Sequence, residues 1–308
     1  MAMRAHRAGT YSIVARDPET GQFGVGVQSH WFSVGALVPW ARPGVGAVAT
    51  QANVEVSYGP HALELLAAGA GANEALDWLL ARDSGAATRQ VAVVDSHGQV
   101  AVHTGPLCVP FAGHEIGEAC SCQGNLLSCA EVWPAMLDAF RKSAGPLAGR
   151  LLEALDAGER AGGDARGRQS AALLVVGPSG EPWEELVSLR VEDHPAPLVE
   201  LRRLLELHEA YALADTADGL VGEGRHAEAA QLYERASELV PDSHELAFWS
   251  GLGLAESGQM DAGLARVRQA IEVHPGWREI LERLPAEMAP AGEAVRDRLK
   301  TYSGGADR

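Results

Sequence analysis

The sequence predicts an α+β protein in two parts. A pair of β-sheets carries helices on its outer faces, and an all-helical segment follows. Three observations carry this reading. Short runs rich in Val and Ala, separated by turn residues, fill residues 10–105 and 168–192. Two helix pairs with apolar residues at three- and four-residue spacing interrupt those runs. From about residue 208 the strand signal stops and Ala, Leu and Glu dominate.

The strand runs are, in order, YSIVAR, FGVGVQS, GVGAVATQ, RQVAVVD, QVAVHTG, SAALLVVG and ELVSLRVED. Asp17, Pro18 and Gly21 supply hairpin chemistry between the first two, and DSHGQ at 95–99 does the same for the fourth and fifth. The first helix pair is GPHALELLAAG (59–69) and ANEALDWLLARD (72–83). Pro60 suits a first turn, and Gly69 and Gly71 suit the stop. AEVWPAMLDAFRKS and PLAGRLLEALDAGERAG form the second pair. The apolar stretch WFSVGALVPWARPGVG, with Trp31, Phe32 and Trp40, lines a pocket or a subunit contact, or is an ordinary core strand and loop.

The chain of 308 residues has 46% hydrophobic residues, enough for a large core, and a formal net charge of −16. That charge argues against nucleic acid or anionic lipid as a main partner, since both select a basic footprint. MAMRAHRAG leads into no apolar h-region, and no run approaches the length of a membrane span, so a cytoplasmic protein is expected. Cys120, Cys122 and Cys129, with Cys108 and His114 nearby, follow C-x-C-x6-C spacing. Zinc modules use paired C-x2-C, so reduced thiols acting as small apolar groups are expected, with no metal and no cofactor.

The helical segment contains an internal repeat. GRHAEAAQLYERASELVPD (224–242) aligns with GQMDAGLARVRQAIEVHPG (258–276), with Gly224 on Gly258 and Pro241 on Pro275, 34 residues apart. The period and the helix-turn-helix pattern resemble a tetratricopeptide repeat, which implies a surface able to take a peptide partner.

The first part also resembles a known family. The carriers are TYSIVARDPETGQFGVGVQSHWFSVGALVPWARPGVGAVATQANVEVSYGPHALELLAAG, CQGNLL, GGDARGRQSAALLVV and LRVEDHPAPLVELRRLLELH, from Thr10 to His208. They resemble the DUF1028 family, which is grouped with the Ntn-hydrolase-like proteins. The resemblance implies a four-layer αββα sandwich. Taken with the repeat, it gives an expected division into a leader (1–9), a sandwich domain (10–207), tetratricopeptide-like repeats (208–302) and a flexible tail (303–308).

In Ntn hydrolases the nucleophile is the first residue of the mature chain, and its own α-amine is the base. An α-amine titrates at about 7.7–8.0, so a useful neutral fraction exists near neutral pH. Gly9-Thr10 is the only Gly-Thr, Gly-Ser or Gly-Cys pair in the sequence. The resemblance therefore implies Thr10 as nucleophile once residues 1–9 are removed; the plain alternative is a β-branched strand opener. Ser12 shares its sheet face but cannot own a terminal amine. Ser29 and His30 end the second strand and are candidate catalytic residues, His30 as an imidazole acid or base. Thr50, Gln51 and Asn53 sit at a strand end, and Gln123, Gly124 and Asn125 precede a helix. Gln51 and Asn125 are candidate oxyanion donors, and loop capping explains Asn125 equally well. Asp164 and Arg166 follow Gly162 and Gly163 in a loop, with Arg168, Gln169 and Ser170 next. Asp164, Arg166, Gln169, Ser170, Thr50 and Gln51 are the candidate substrate-binding residues, and an Asp–Arg pair holding a turn is the plain alternative.

The expected function is hydrolysis of a small amide, peptide-like or ureido bond by an enzyme that forms a low-order homo-oligomer. The alternative is a non-catalytic scaffold whose repeats bind a partner peptide or mediate oligomerisation.

Overall fold

Alternating Val and Ala along the first part make strands that bury both faces, and the computed structural model describes residues 9–303 of the chain. The expected leader apart from Gly9, and the tail beyond Ser303, lie outside the described residues. The chain divides after Leu205 into two units, which are described separately.

In the first unit, β1 (Thr10–Arg16), β2 (Phe23–Ser29), β8 (Cys120–Asn125), β7 (Gly113–Gly117), β9 (Ser170–Val176) and β10 (Glu185–Val191) form one sheet, ordered β10-β9-β2-β1-β8-β7. A second sheet is ordered β3-β4-β5-β6, from β3 (Pro39–Arg42), β4 (Gly46–Ala52), β5 (Arg89–Asp95) and β6 (Val100–Thr104). Every pairing is antiparallel. The helices are α1 (Tyr58–Ala67), α2 (Ala72–Leu80), α3 (Val132–Lys142) and α4 (Leu147–Arg160), with the first turns of α5 (Pro197–Gly222).

Period-two alternation sorts the side chains into layers. Val14, Val25, Val27 and Ala172 of the larger sheet meet Ala47, Ala49, Ala92 and Val94 of the smaller. On the larger sheet's other face, Ile13, Cys122 and Leu173 pack against Met136 and Leu137 of α3 and Leu151 and Leu155 of α4. Val48, Val91 and Val93 back onto α1 and α2 through Ala62, Leu66 and Leu76. Each fully buried Val or Leu contributes about 1.5–3 kcal/mol. A Cβ on Gly24 of β2 would stand 2.6 Å from Leu151 Cδ1, so glycine there is what lets α4 lie close.

Seven strands coincide with the runs read from the sequence. Three do not: PWAR, GHEIG and CSCQGN form β3, β7 and β8. CSCQGN reads as a loop because it holds no β-branched residue, yet it is the central neighbour of β1. Its alternation is real: Cys120 and Cys122 face the helices, whereas Ser121, Gln123 and Asn125 face the other sheet. The aromatic stretch divides: Trp40 is held beneath Gly59 with its indole N–H on Leu37 O at 3.0 Å, whereas Phe32 is exposed.

The second unit contains the rest of α5, α6 (His226–Leu239), α7 (His244–Glu256), α8 (Met260–Val273), α9 (Gly276–Arg283) and α10 (Gly292–Ser303). Its repeat is visible in backbone detail. Gly224 and Gly258 both take positive φ, 75° and 88°. Arg225 N donates to Leu220 O and Gln259 N to Leu254 O, each at 2.9 Å and 34 positions apart. Tyr233 and Ala236 of α6, and Val267 and Ala270 of α8, occupy the matching buried places.

No helix among the described residues is long and apolar enough to cross a membrane. Among the same residues no group of three or more His, Cys, Asp or Glu is placed to hold a metal ion. The four cysteines are free thiols, and burial pushes the Cys120 thiol up to about 11.

Candidate active site

The register of the larger sheet places four polar residues in one row. Thr10 pairs with Asn125 on one side and Ser29 on the other, and Ser29 pairs with Ser170. All four are buried. A buried polar row needs a partner for every hydrogen-bonding group, because an unpaired buried one costs about 1–3 kcal/mol.

Around Thr10 those partners converge on one atom, the carbonyl oxygen of Gly9. Thr10 Oγ1 lies 2.6 Å from it and 3.1 Å from Ser29 Oγ, so its single proton serves one of the two at a time. Ser29 Oγ donates to the same carbonyl. Arg166 Nη2 donates to it at 2.8 Å. Three side chains from β1, β2 and the loop before β9 thus surround a single acceptor.

Asp164 holds this arrangement. Its carboxylate is fully buried and takes Arg166 Nη2 at 2.7 Å, Arg166 Nε at 3.0 Å, Arg166 N at 2.9 Å and His30 N at 3.0 Å. The two-pronged contact fixes the guanidinium plane as well as its charge. The loop is anchored in turn by the Leu127–Asp164 bridge and by Ala165 N on Leu126 O at 3.1 Å. Leu126 adopts φ 53°, a left-handed backbone that a side-chain-bearing residue rarely takes.

Beneath Thr10 lies an amide network joining the sheets. Ser12 Oγ donates to Gln51 Oε1 at 2.6 Å, and Gln123 Nε2 donates to Ser12 Oγ at 2.7 Å. Gln51 Nε2 and Asn125 Nδ2 both donate to Gln90 Oε1, at 2.8 and 3.0 Å. Gln90 Nε2 reaches Gly124 O at 2.8 Å. Gln51 Nε2 also lies 3.5 Å from Thr10 O, so the network meets the nucleophile candidate through its backbone.

The structure therefore brings Thr10, Ser29, Asp164 and Arg166 together. Gln51 and Asn125 lie next to them, but their amide N–H groups are directed at Gln90 rather than at the Gly9 carbonyl. His30 contributes its backbone N–H; its ring nitrogen Nδ1 lies 3.2 Å from Arg168 O. Ser170 Oγ donates to Trp31 O and accepts from Val34 N at 3.1 Å, which ties down the loop after β2. Gln169 bonds Asp193 at 3.1 Å on the exposed side. Thr50 points to the helix side of β4, where its hydroxyl meets Glu55 O at 3.2 Å, and Asn53 bonds Thr88 Oγ1 at 3.1 Å. Sequence reading passed over Gln90 and Leu126. The signal for Gln90 was present: it shares its strand face with Ala92 and Val94, a lone amide on an apolar stripe.

Fold and site together define a two-sheet α+β protein in which the buried hydroxyls of Thr10, at the start of β1, and Ser29, at the end of β2, lie beside an Asp–Arg pair. The chain belongs to DUF1028, a family of unknown function whose model matches residues 10–201. The crystal structure of protein SPO2555 from Silicibacter pomeroyi, of the same family, is 34% identical. That match covers 64% of this chain and 85% of the other, with a TM-score of 0.59. No curated protein matches the chain.

Proposed function

We propose that this protein is an Ntn-type amidohydrolase that uses Thr10 as its nucleophile and cleaves a small amide, peptide-like or ureido bond. The observation that carries the reading is the Gly9 carbonyl, with Thr10 Oγ1 at 2.6 Å and Ser29 and Arg166 as donors to the same oxygen. An amide carbonyl surrounded in this way is polarised toward attack. The helix pairs outside two facing sheets, with the hydroxyl at the head of β1, support a four-layer Ntn-like sandwich.

The chemistry divides into two stages. In the first, Thr10 Oγ1 bonds to the Gly9 carbonyl carbon, the Gly9–Thr10 C–N bond breaks, and the proton from Oγ1 ends on the released nitrogen. Water then hydrolyses the ester and leaves Thr10 with a free α-amine. In the second stage that amine takes the Oγ1 proton as the hydroxyl attacks a substrate amide. Ser29 Oγ and Arg166 Nη2 hold the developing oxyanion where the Gly9 oxygen lies. The amine product leaves with the proton, and water releases the acid. Tethering the base to the nucleophile removes the entropic cost of bringing them together.

The test is intact mass with N-terminal sequencing of the purified full chain, followed by amide hydrolysis. A chain beginning at Thr10 that releases amine supports the reading. A chain still carrying Met1 or Ala2 after long incubation, and inert toward amides, overturns it.

A second reading rests on the repeated turn at Gly224 and Gly258. It supports a tetratricopeptide-like second unit that binds a peptide or a second copy of the chain, with the first unit as a non-catalytic platform. Peptide or self-association by a chain that never exposes Thr10 distinguishes it.

A further inference from the structure

The same site holds information about acyl size. Substrate hydrolysis and cleavage at Gly9 pass through an ester on the same oxygen, Thr10 Oγ1. The residue in Gly9's place therefore reports the shape of the acyl side. A side chain built on Gly9 would put its Cβ 2.9 Å from Asp164 Oδ2, 2.9 Å from Leu126 Cβ and 3.0 Å from Arg166 Nη2. Non-bonded carbon contacts are optimal only at about 3.5–4.0 Å.

Neither close wall can retreat. Asp164 is held by three donors from Arg166 and one from His30. The Leu126 contact is made by Cβ itself, the atom that follows the backbone. That backbone is pinned by Leu126 N on Val109 O at 2.8 Å and by Ala165 N on Leu126 O at 3.1 Å. Asp164 is already paired with a cation, so the wall selects by shape rather than by demanding a positive charge.

We propose that the enzyme is specific for amides whose acyl group has an unsubstituted α-carbon, the glycyl and acetyl class, and that Leu126 and Asp164 exclude an L side chain at that carbon. This rests on the hydrolase reading given above.

The experiment compares N-acetylglycine, N-acetyl-L-alanine and acetic acid p-nitroanilides with the purified full chain, and repeats the series with Leu126→Gly. The left-handed backbone at φ 53° suits glycine, so this variant retains the loop while deleting the wall. Overpacking by one methyl costs about 1–3 kcal/mol, which corresponds to an expected preference of roughly 5- to 150-fold in kcat/KM for the glycyl over the L-alanyl compound. The preference should shrink at least several-fold in Leu126→Gly. Turnover of the L-alanyl compound at the glycyl rate by the unaltered chain overturns the size rule and leaves the hydrolase reading standing. A preference unchanged in Leu126→Gly overturns the assignment of that wall. Failure to cleave any of the three, with Met1 or Ala2 still at the start of the chain, overturns both.

Discussion

At the scale of single residues, the site depends on how a few donors share one acceptor. Thr10→Ala should leave the Gly9–Thr10 bond intact in intact-mass spectra and abolish amide hydrolysis, because it deletes the attacking oxygen without disturbing the β1 register. Arg166→Lys keeps the charge but loses the fork that engages Asp164 and the Gly9 carbonyl together. Losing one preorganised oxyanion donor costs about 10²–10³ in kcat, and Arg166→Lys should fall in that range in single-turnover assays. A loss under threefold would remove Arg166 from the oxyanion site. Thr10 was legible through the family resemblance and its Gly-Thr pair, Ser29 as a hydroxyl at a strand end, and Asp164 and Arg166 as a carboxylate and a guanidinium in a loop after two glycines. Their convergence was not legible: Asp164 lies 134 positions from its partner His30, and the pairing of β2 with β9 and the Leu127–Asp164 bridge together deliver its loop to Thr10.

At the scale of elements, the helix pair over the smaller sheet is latched by an ion cluster around the buried Arg89. Arg89 opens β5, and its guanidinium meets Asp83 at 2.7 Å and Glu55 at 3.6 Å. Hydrogen bonding from Arg89 holds the Asp83 carboxyl below the usual carboxylate range. A carboxyl depressed in the folded state contributes stability that is fully present above its unfolded value near 3.9 and is lost as pH falls through the folded value. Urea midpoints measured from pH 5 down to pH 2 should therefore drop more steeply for the unaltered chain than for Asp83→Asn. At neutral pH that variant should lose about 3 kcal/mol, since a buried partner is left behind. Equal acid slopes in the two proteins would remove Asp83 as the source. Elements with β-branched alternation or three-four spacing were readable, whereas β8 was not. Its strand character comes from pairing with β1 and β7 on both edges, a tertiary cause that overrides local preference.

At the scale of the whole molecule, every residue of the candidate site lies before Leu205, and the repeat lies after it. Gly224 and Gly258 have open space where a Cβ would go, so replacing either by Ala costs only the left-handed backbone, about 1 kcal/mol. Gly258→Ala should lower the stability of the helical unit by that amount in calorimetry and leave amide turnover unchanged. A fall in turnover that tracks the stability loss would show that the chemistry depends on the repeats. The repeat itself was fully legible, because its period is carried by the two residues that make the turn.

The amide lattice between the sheets has a consequence for how this chain can change. Ser12, Gln51, Gln90, Gln123 and Asn125 satisfy one another, so each is costly to replace alone. Gln90→Leu would leave Gly124 O and two amide donors without their partner. Replacing one partner carries the full desolvation penalty, whereas replacing both ends with apolar groups of similar shape is close to neutral. Drift at these positions therefore has to be concerted: routes from one such interlayer to another pass through poorly folding single mutants or through simultaneous exchanges. The five residues are therefore expected to change together, as a lock whose tumblers move as one.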